Sequence, residues 1–111
     1  MNIVFLDDED FLFPLIKRYF SMLNIDRFLC TTSPIDAYNF IINENCNYLL
    51  IDYNMPDIPD INKYVKTIPS NIKIVIVSGE DNSFIEDNIQ FIYKFLKKPF
   101  VIDDLKKILE Q

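Results

Sequence analysis

The sequence predicts an α/β fold of the (βα)5 kind, a doubly wound five-stranded parallel sheet with helices on both faces. Three observations predict it. Short apolar runs rich in Val and Ile recur between longer stretches whose apolar residues are spaced three and four apart. The apolar runs are continuous rather than alternating, as strands covered on both faces require. A single Gly and six scattered prolines punctuate the chain, with no repeat, low-complexity tract or flexible linker.

Each element follows in order. Residues 3–6 form a β-branched apolar run that stops at Asp7. From Leu12 the positions Leu15, Ile16, Tyr19, Phe20 and Leu23 trace the core-facing stripe of a helix, with Pro14 tolerable in its first turn. A second strand is expected at residues 27–31. Ser33 then serves as N-cap and Pro34 as first residue of a helix reaching about Ile42. Residues 48–51 make the third strand, ending on Asp52, and Ile61, Tyr64, Val65 and Ile68 fit a short third helix. Residues 73–77 contain IVIV between turn residues and form the fourth strand. A weaker fourth helix is expected around residues 83–89, a fifth strand near residues 93–97, and a fifth helix from about Asp103 carrying Leu105, Ile108 and Leu109.

At 111 residues, half of them hydrophobic, the chain is expected to be one domain spanning residues 1–111. Eleven basic against 17 acidic residues give a net charge of −6, which opposes contact with nucleic acid or an anionic membrane surface. The opening MNIVFLDDED has no basic region before its apolar residues, and no apolar run approaches the roughly 20 residues that span a bilayer. Cys30 and Cys46 are the only cysteines and there is no His, so neither a disulfide framework nor a zinc site is expected. Both are read as buried thiols in a reducing, cytoplasmic setting.

In open parallel sheets, ligands bind outside the carboxyl ends of the strands. Here those ends carry Asp7, Asp8 and Glu9 after the first strand, Asp52 on the third, Ser78 on the fourth and Lys98 after the fifth. Carboxylates, a hydroxyl and an ammonium converging there would suit a hard divalent cation and a phosphoryl group, and Mg2+ fits best because it needs few carboxylates beside water. Taken singly, each residue has a plainer reading. Asp7 to Asp10 could cap the first helix, Asp52 could shape a turn before Pro56, Ser78-Gly79 could be an ordinary turn, Lys97-Lys98 a solvated pair and Phe95 plain core.

Together, Asp7-Asp8, Asp52 in Asp52-Tyr53-Asn54-Met55-Pro56, Ser78, Phe95 and Lys98-Pro99-Phe100 resemble the receiver domain of bacterial response regulators in its single-domain, chemotaxis-regulator-like form. The resemblance spans the chain and implies a flavodoxin-like sheet of order 2-1-3-4-5. It implies Asp52 as phosphoryl acceptor, with Asp8 ligating Mg2+ directly, Asp7 through water, and the Asn54 carbonyl as a further ligand. It also implies Ser78 and Lys98 as partners of the phosphoryl oxygens, Phe95 as an aromatic switch, and a cis Lys98-Pro99 bond.

The function so implied is a two-component phosphorelay protein, not an enzyme. It would be phosphorylated by a sensor histidine kinase or exchange with a histidine phosphotransfer protein. Its target would be a protein bound by the fourth helix, fifth strand and fifth helix, since no nucleic-acid-binding module is expected after Gln111.

Departures keep rivals in view. Asp60 stands where the family commonly has Gly, Pro59 precedes it, and the family's small-residue pattern before the fifth strand is replaced by residues 88–93. The loop after Asp52 is therefore expected to take a different path, and an unphosphorylated docking module is one alternative. A haloacid-dehalogenase-like phosphatase is another, but Asp8-Glu9-Asp10-Phe11-Leu12 lacks that class's following hydroxyl or Val. A flavin-binding flavodoxin is disfavoured because the acids after the first strand would repel FMN.

Overall fold

Pairing of five strands organises the chain. In this computed structural model, which describes residues 1–79 and 92–110, β1 (Asn2–Leu6), β2 (Arg27–Thr31), β3 (Tyr48–Asp52), β4 (Lys73–Ser78) and β5 (Lys94–Lys97) form one parallel sheet in the order β2-β1-β3-β4-β5. The expected order is therefore the observed one. A 3-10 turn at Asp10–Leu12 leads into α1 (Phe13–Met22), and α2 (Pro34–Asn43), α3 (Ile61–Lys66) and α4 (Ile102–Leu109) follow. The expected helix at residues 83–89 lies outside the described residues, so α4 is the helix expected as the fifth.

Side chains alternate along the strands and divide the core into two layers. Ile3, Phe5, Tyr48, Leu50, Val75 and Val77 pack with Ile16 and Phe20 of α1 and Leu105 and Ile108 of α4. Val4, Leu6, Leu49, Ile51, Ile74 and Ile76 pack with Ala37 and Ile41 of α2 and Val65 of α3. Both faces are covered, which is why the strands read as unbroken apolar runs. Each fully buried Ile, Leu or Phe here contributes about 1.5–3 kcal/mol relative to exposure.

Local chemistry sets the element ends. The Ser33 hydroxyl accepts the Asp36 N–H at 3.1 Å with Pro34 opening α2, as expected. Asn24 and Asn45, with φ of 58° and 50°, take the left-handed position just past the C-caps of α1 and α2. That place usually falls to glycine, and asparagine is the residue that tolerates it best after glycine. The Thr67 hydroxyl donates to the Tyr64 carbonyl at 2.6 Å and closes α3 at Lys66, so Ile68, expected within the helix, is buried from the loop instead. The strands of the site run longer than expected, with Asp52 and Ser78 themselves in β3 and β4.

Asp60 starts the third helix. Its carboxylate accepts the Lys63 N–H at 3.2 Å and caps α3. One further expectation is corrected: Cys46 is buried, but Cys30 is only half-buried, because β2 lies at the sheet edge. Burial pushes both thiols up to about 11, so neither is a reactive thiolate at neutral pH.

Asp60→Ala should cost about 1 kcal/mol in urea denaturation and Asp60→Gly only a few tenths. Equal losses for the two would remove the capping role.

Candidate functional site

Register aligns the strand ends. Asp52 pairs with Val77, Ser78 with Lys97, and Leu6 with both Thr31 and Ile51, so the residues leaving β1, β3, β4 and β5 emerge along one edge. Asp7 is held there by its N–H donating to the Thr31 carbonyl at 3.1 Å, and the Lys98 N–H donates to the Ser78 carbonyl at 2.8 Å. Lys98-Pro99 is cis.

The side chains then converge. Asp7 is 0% exposed and Asp52 5%, and carboxylate oxygens of Asp7, Asp8 and Asp52 all lie within 4.8 Å of one another. The Lys98 ammonium sits among them, 2.8 Å from Asp7 Oδ2, 2.7 Å from Glu9 Oε1 and 3.2 Å from Asp52 Oδ1. Three carboxylates thus hold one ammonium, with Asp8 beside two of them.

The acids of the first loop do not cap α1. Asp7 Oδ1 accepts the Glu9 N–H at 2.9 Å, and α1 begins at Phe13 with no side-chain cap at Leu12. Lys98 is likewise no solvated lysine, with its side chain 16% exposed.

Ser78 is buried at the end of β4. By strand parity it shares a sheet face with Ile76, and Phe95, paired with Ile76, packs half-buried into the same layer. Hydroxyl and ring therefore share one face, two pairs apart along the β4–β5 ladder. Asn54 is exposed on the loop two residues beyond Asp52.

Glu9 is the residue to which sequence reasoning gave no role of its own. It was legible only as one more acid after the first strand, and its side chain reaches Lys98 across 89 positions of sequence.

Charge crowding shapes the site's acid–base behaviour. Burial, and next the negative charge of Asp7, push Asp52 up to about 6 against the opposing pull of Lys98. Burial also raises Asp7, while Lys98 and the Glu9 N–H act the other way. Burial works against the Lys98 charge, but its hydrogen bonds to Asp7 and Glu9 outweigh that and hold it above the ordinary lysine range.

A divalent cation fits this donor set. Asp7 Oδ2 is fully buried and, apart from its ion pair with Lys98, accepts no well-aligned hydrogen bond. Three hard carboxylates around one point suit Mg2+, which binds through a few such oxygens and keeps several waters.

No protein-family model matches the chain, and no curated protein matches it in sequence. Solved structures do match. A response regulator receiver domain (CheY-like) from Methylobacillus flagellatus is 22% identical with a TM-score of 0.79, over 99% of this chain and 96% of that one. A two-component response regulator from Legionella pneumophila is 18% identical with a TM-score of 0.81, over 99% and 95%. The receiver domain of sensor histidine kinase PA1611 from Pseudomonas aeruginosa PAO1, whose active-site cleft coordinates a magnesium ion, is 16% identical with a TM-score of 0.76, over 98% and 93%.

The raised Asp52 pKa has a definite sign for stability. Against an unfolded value of about 3.9, the metal-free folded state holds its proton more tightly, so stability falls as pH rises from about 4 to 6 and stays reduced above that. Asp52→Asn should therefore stabilise the metal-free protein at about pH 7.5 by about 1–3 kcal/mol in urea denaturation, the gain vanishing near about pH 4. A loss of stability at the higher pH would contradict the crowding.

At identities of 22% and below, these likenesses establish architecture: the chain folds as a response-regulator receiver domain.

Proposed function

We propose that this protein is a phosphoryl-accepting signalling protein in which Asp52 takes a phosphoryl group from a phosphohistidine donor in a Mg2+-dependent reaction. The observation that supports this above all is the placement of Asp52 within a receiver fold, 3.2 Å from the Lys98 ammonium and clustered with Asp7 and Asp8. Phosphoryl transfer needs an oxygen nucleophile in line and positive charge around the equatorial oxygens. An Asp52 carboxylate oxygen forms the bond to phosphorus while the bond to the donor nitrogen breaks and its electron pair leaves with the donor. Lys98 donates to a phosphoryl oxygen from the position where it now donates to Asp52, and the Ser78 hydroxyl donates to another.

Asp8, Asp52 and the Asn54 carbonyl would hold Mg2+, with Asp7 acting through water. When bound, the ion would neutralise the crowded carboxylates and the charge that develops on the phosphoryl oxygens.

The added charge of about −1.5 to −2 draws the Ser78 hydroxyl toward Asp52. Phe95, on the same sheet face, moves into the space and shifts an existing equilibrium between two states. The surface around β5 and α4 would carry the output to a protein target. The net charge of −6 disfavours nucleic acid as that target.

The donor's approach is supported by the ground beside Lys98. Leu12, Leu15, Ile16, Pro99 and Phe100 line an apolar recess of about 280 Å3 that Glu9 and Lys98 border. Phe11, Leu15 and Val101 add exposed apolar surface, suited to a helix of a histidine kinase or phosphotransfer protein. Among the described residues no helix is long and apolar enough to cross a membrane, and a cytoplasmic setting accords with the two free thiols.

Incubation with acetyl phosphate and Mg2+, followed by intact mass, should add one phosphoryl group to the wild type and none to Asp52→Asn. Phosphate gained by Asp52→Asn, or none gained by the wild type, would overturn the proposal. In the second outcome a docking module that is never phosphorylated becomes the better account.

A further inference from the structure

The shortest contact of Lys98 is to a carboxylate that the proposed reaction does not use. Its ammonium lies 2.7 Å from Glu9 Oε1, against 2.8 Å to Asp7 and 3.2 Å to Asp52. The latter two carboxyl groups are also those that, with Asp8, converge on a cation-sized space. Ammonium and divalent cation therefore compete for the same carboxylates. Two cations at such range repel strongly in a site this buried, so the ammonium must have somewhere to go as the ion enters.

We infer that Glu9 is a positioning residue: it receives the Lys98 ammonium when a divalent cation takes Asp7, Asp8 and Asp52, and so holds Lys98 within reach of Asp52 for the phosphoryl oxygens. This rests on reading the site as a Mg2+-dependent phosphoryl acceptor. Glu9 is built into the site for that task. Its N–H donates to Asp7 Oδ1 at 2.9 Å, which ties its backbone to the acid it relieves. Its side chain, 44% exposed, lies at the mouth of the site while Asp7 lies at its floor. Lysine carries its charge on a flexible four-carbon stem and can turn from the floor to the mouth without backbone motion. Without Glu9 the ammonium must either remain on Asp7 and Asp52 and oppose the ion or turn out into water and lose its place.

The same pair judged as a stability element would count for little, because a half-exposed ion pair is screened. Its effect lies in metal affinity and in the location of Lys98.

Titration with Mg2+ followed by tyrosine fluorescence or NMR tests this. Glu9→Gln should weaken Mg2+ binding about three- to tenfold, within the lower part of the range for directly contacting groups. In a Lys98→Met background, the same substitution should change affinity by less than about twofold, the residue of a screened exposed charge. Glu9→Asp keeps the charge and shortens the reach, so it should weaken binding as Gln does. If Glu9→Asp binds as wild type while Glu9→Gln is weakened equally in both backgrounds, Glu9 acts by charge alone and the inference fails. It also fails if Glu9→Gln binds as tightly as wild type. Wild type that binds no Mg2+ overturns the phosphoryl-acceptor reading and this inference with it, whereas normal wild-type binding with an indifferent Glu9 overturns the inference only.

Discussion

One ammonium held by three carboxylates organises the strand-end edge of this molecule. Lys98 follows the fifth strand, Asp7 follows the first, Asp52 ends the third, and Glu9 begins the turn into α1. The Lys98 ion pairs thus join three strands and one turn that are far apart in sequence. Without that ammonium, Asp7 and Asp52 would be nearly solvent-free like charges in mutual repulsion, a costly arrangement in a site of low dielectric. Even with it the repulsion is incompletely relieved, as the elevated Asp52 pKa of about 6 expresses. The metal-free protein therefore holds a site whose electrostatics improve when more positive charge arrives, which is the condition for a cation-dependent reaction at a carboxylate.

The sheet makes this convergence geometrically inevitable. Two-sided apolar strands lock the register, because a slip by one residue would turn Asp7, Asp52 and Ser78 to the opposite faces. The same alternation separates duties. Asp7 and Asp52 share parity with the α1 and α4 layer, while Ser78 and Phe95 share the α2 and α3 layer. The two sets thus lie on opposite faces of adjacent strands.

Much of this was legible in the sequence because the relevant signals are short-range. Continuous apolar runs gave the strands, and Ser33-Pro34 gave the start of α2 to the residue. What escaped depends on contacts between distant segments or on caps that substitute for a missing glycine. Asp60 looked like a defect beside a glycine pattern, yet its carboxylate supplies an N-cap to α3. Asn24 and Asn45 closed helices where composition offered no glycine. The end of α3 was misplaced because Ile68 keeps a helical apolar spacing although Thr67 has already turned the chain. Glu9 could not be singled out, since only the fold brings Lys98 to it, and the segment at residues 83–89 lies outside what the structure describes.

If Asp52 accepts a phosphoryl group as proposed, Ser78, Phe95 and Lys98 should respond to it as a unit. Beryllofluoride mimics the phosphoryl group on an aspartate. Amide NMR with Mg2+ and beryllofluoride is the most direct measurement. Shifts are expected at Asp52 and Ser78 and across residues 95–100 in wild type, and none in Asp52→Asn. Shifts confined to Asp7, Asp8 and Asp52, or shifts that persist in Asp52→Asn, would contradict the proposal.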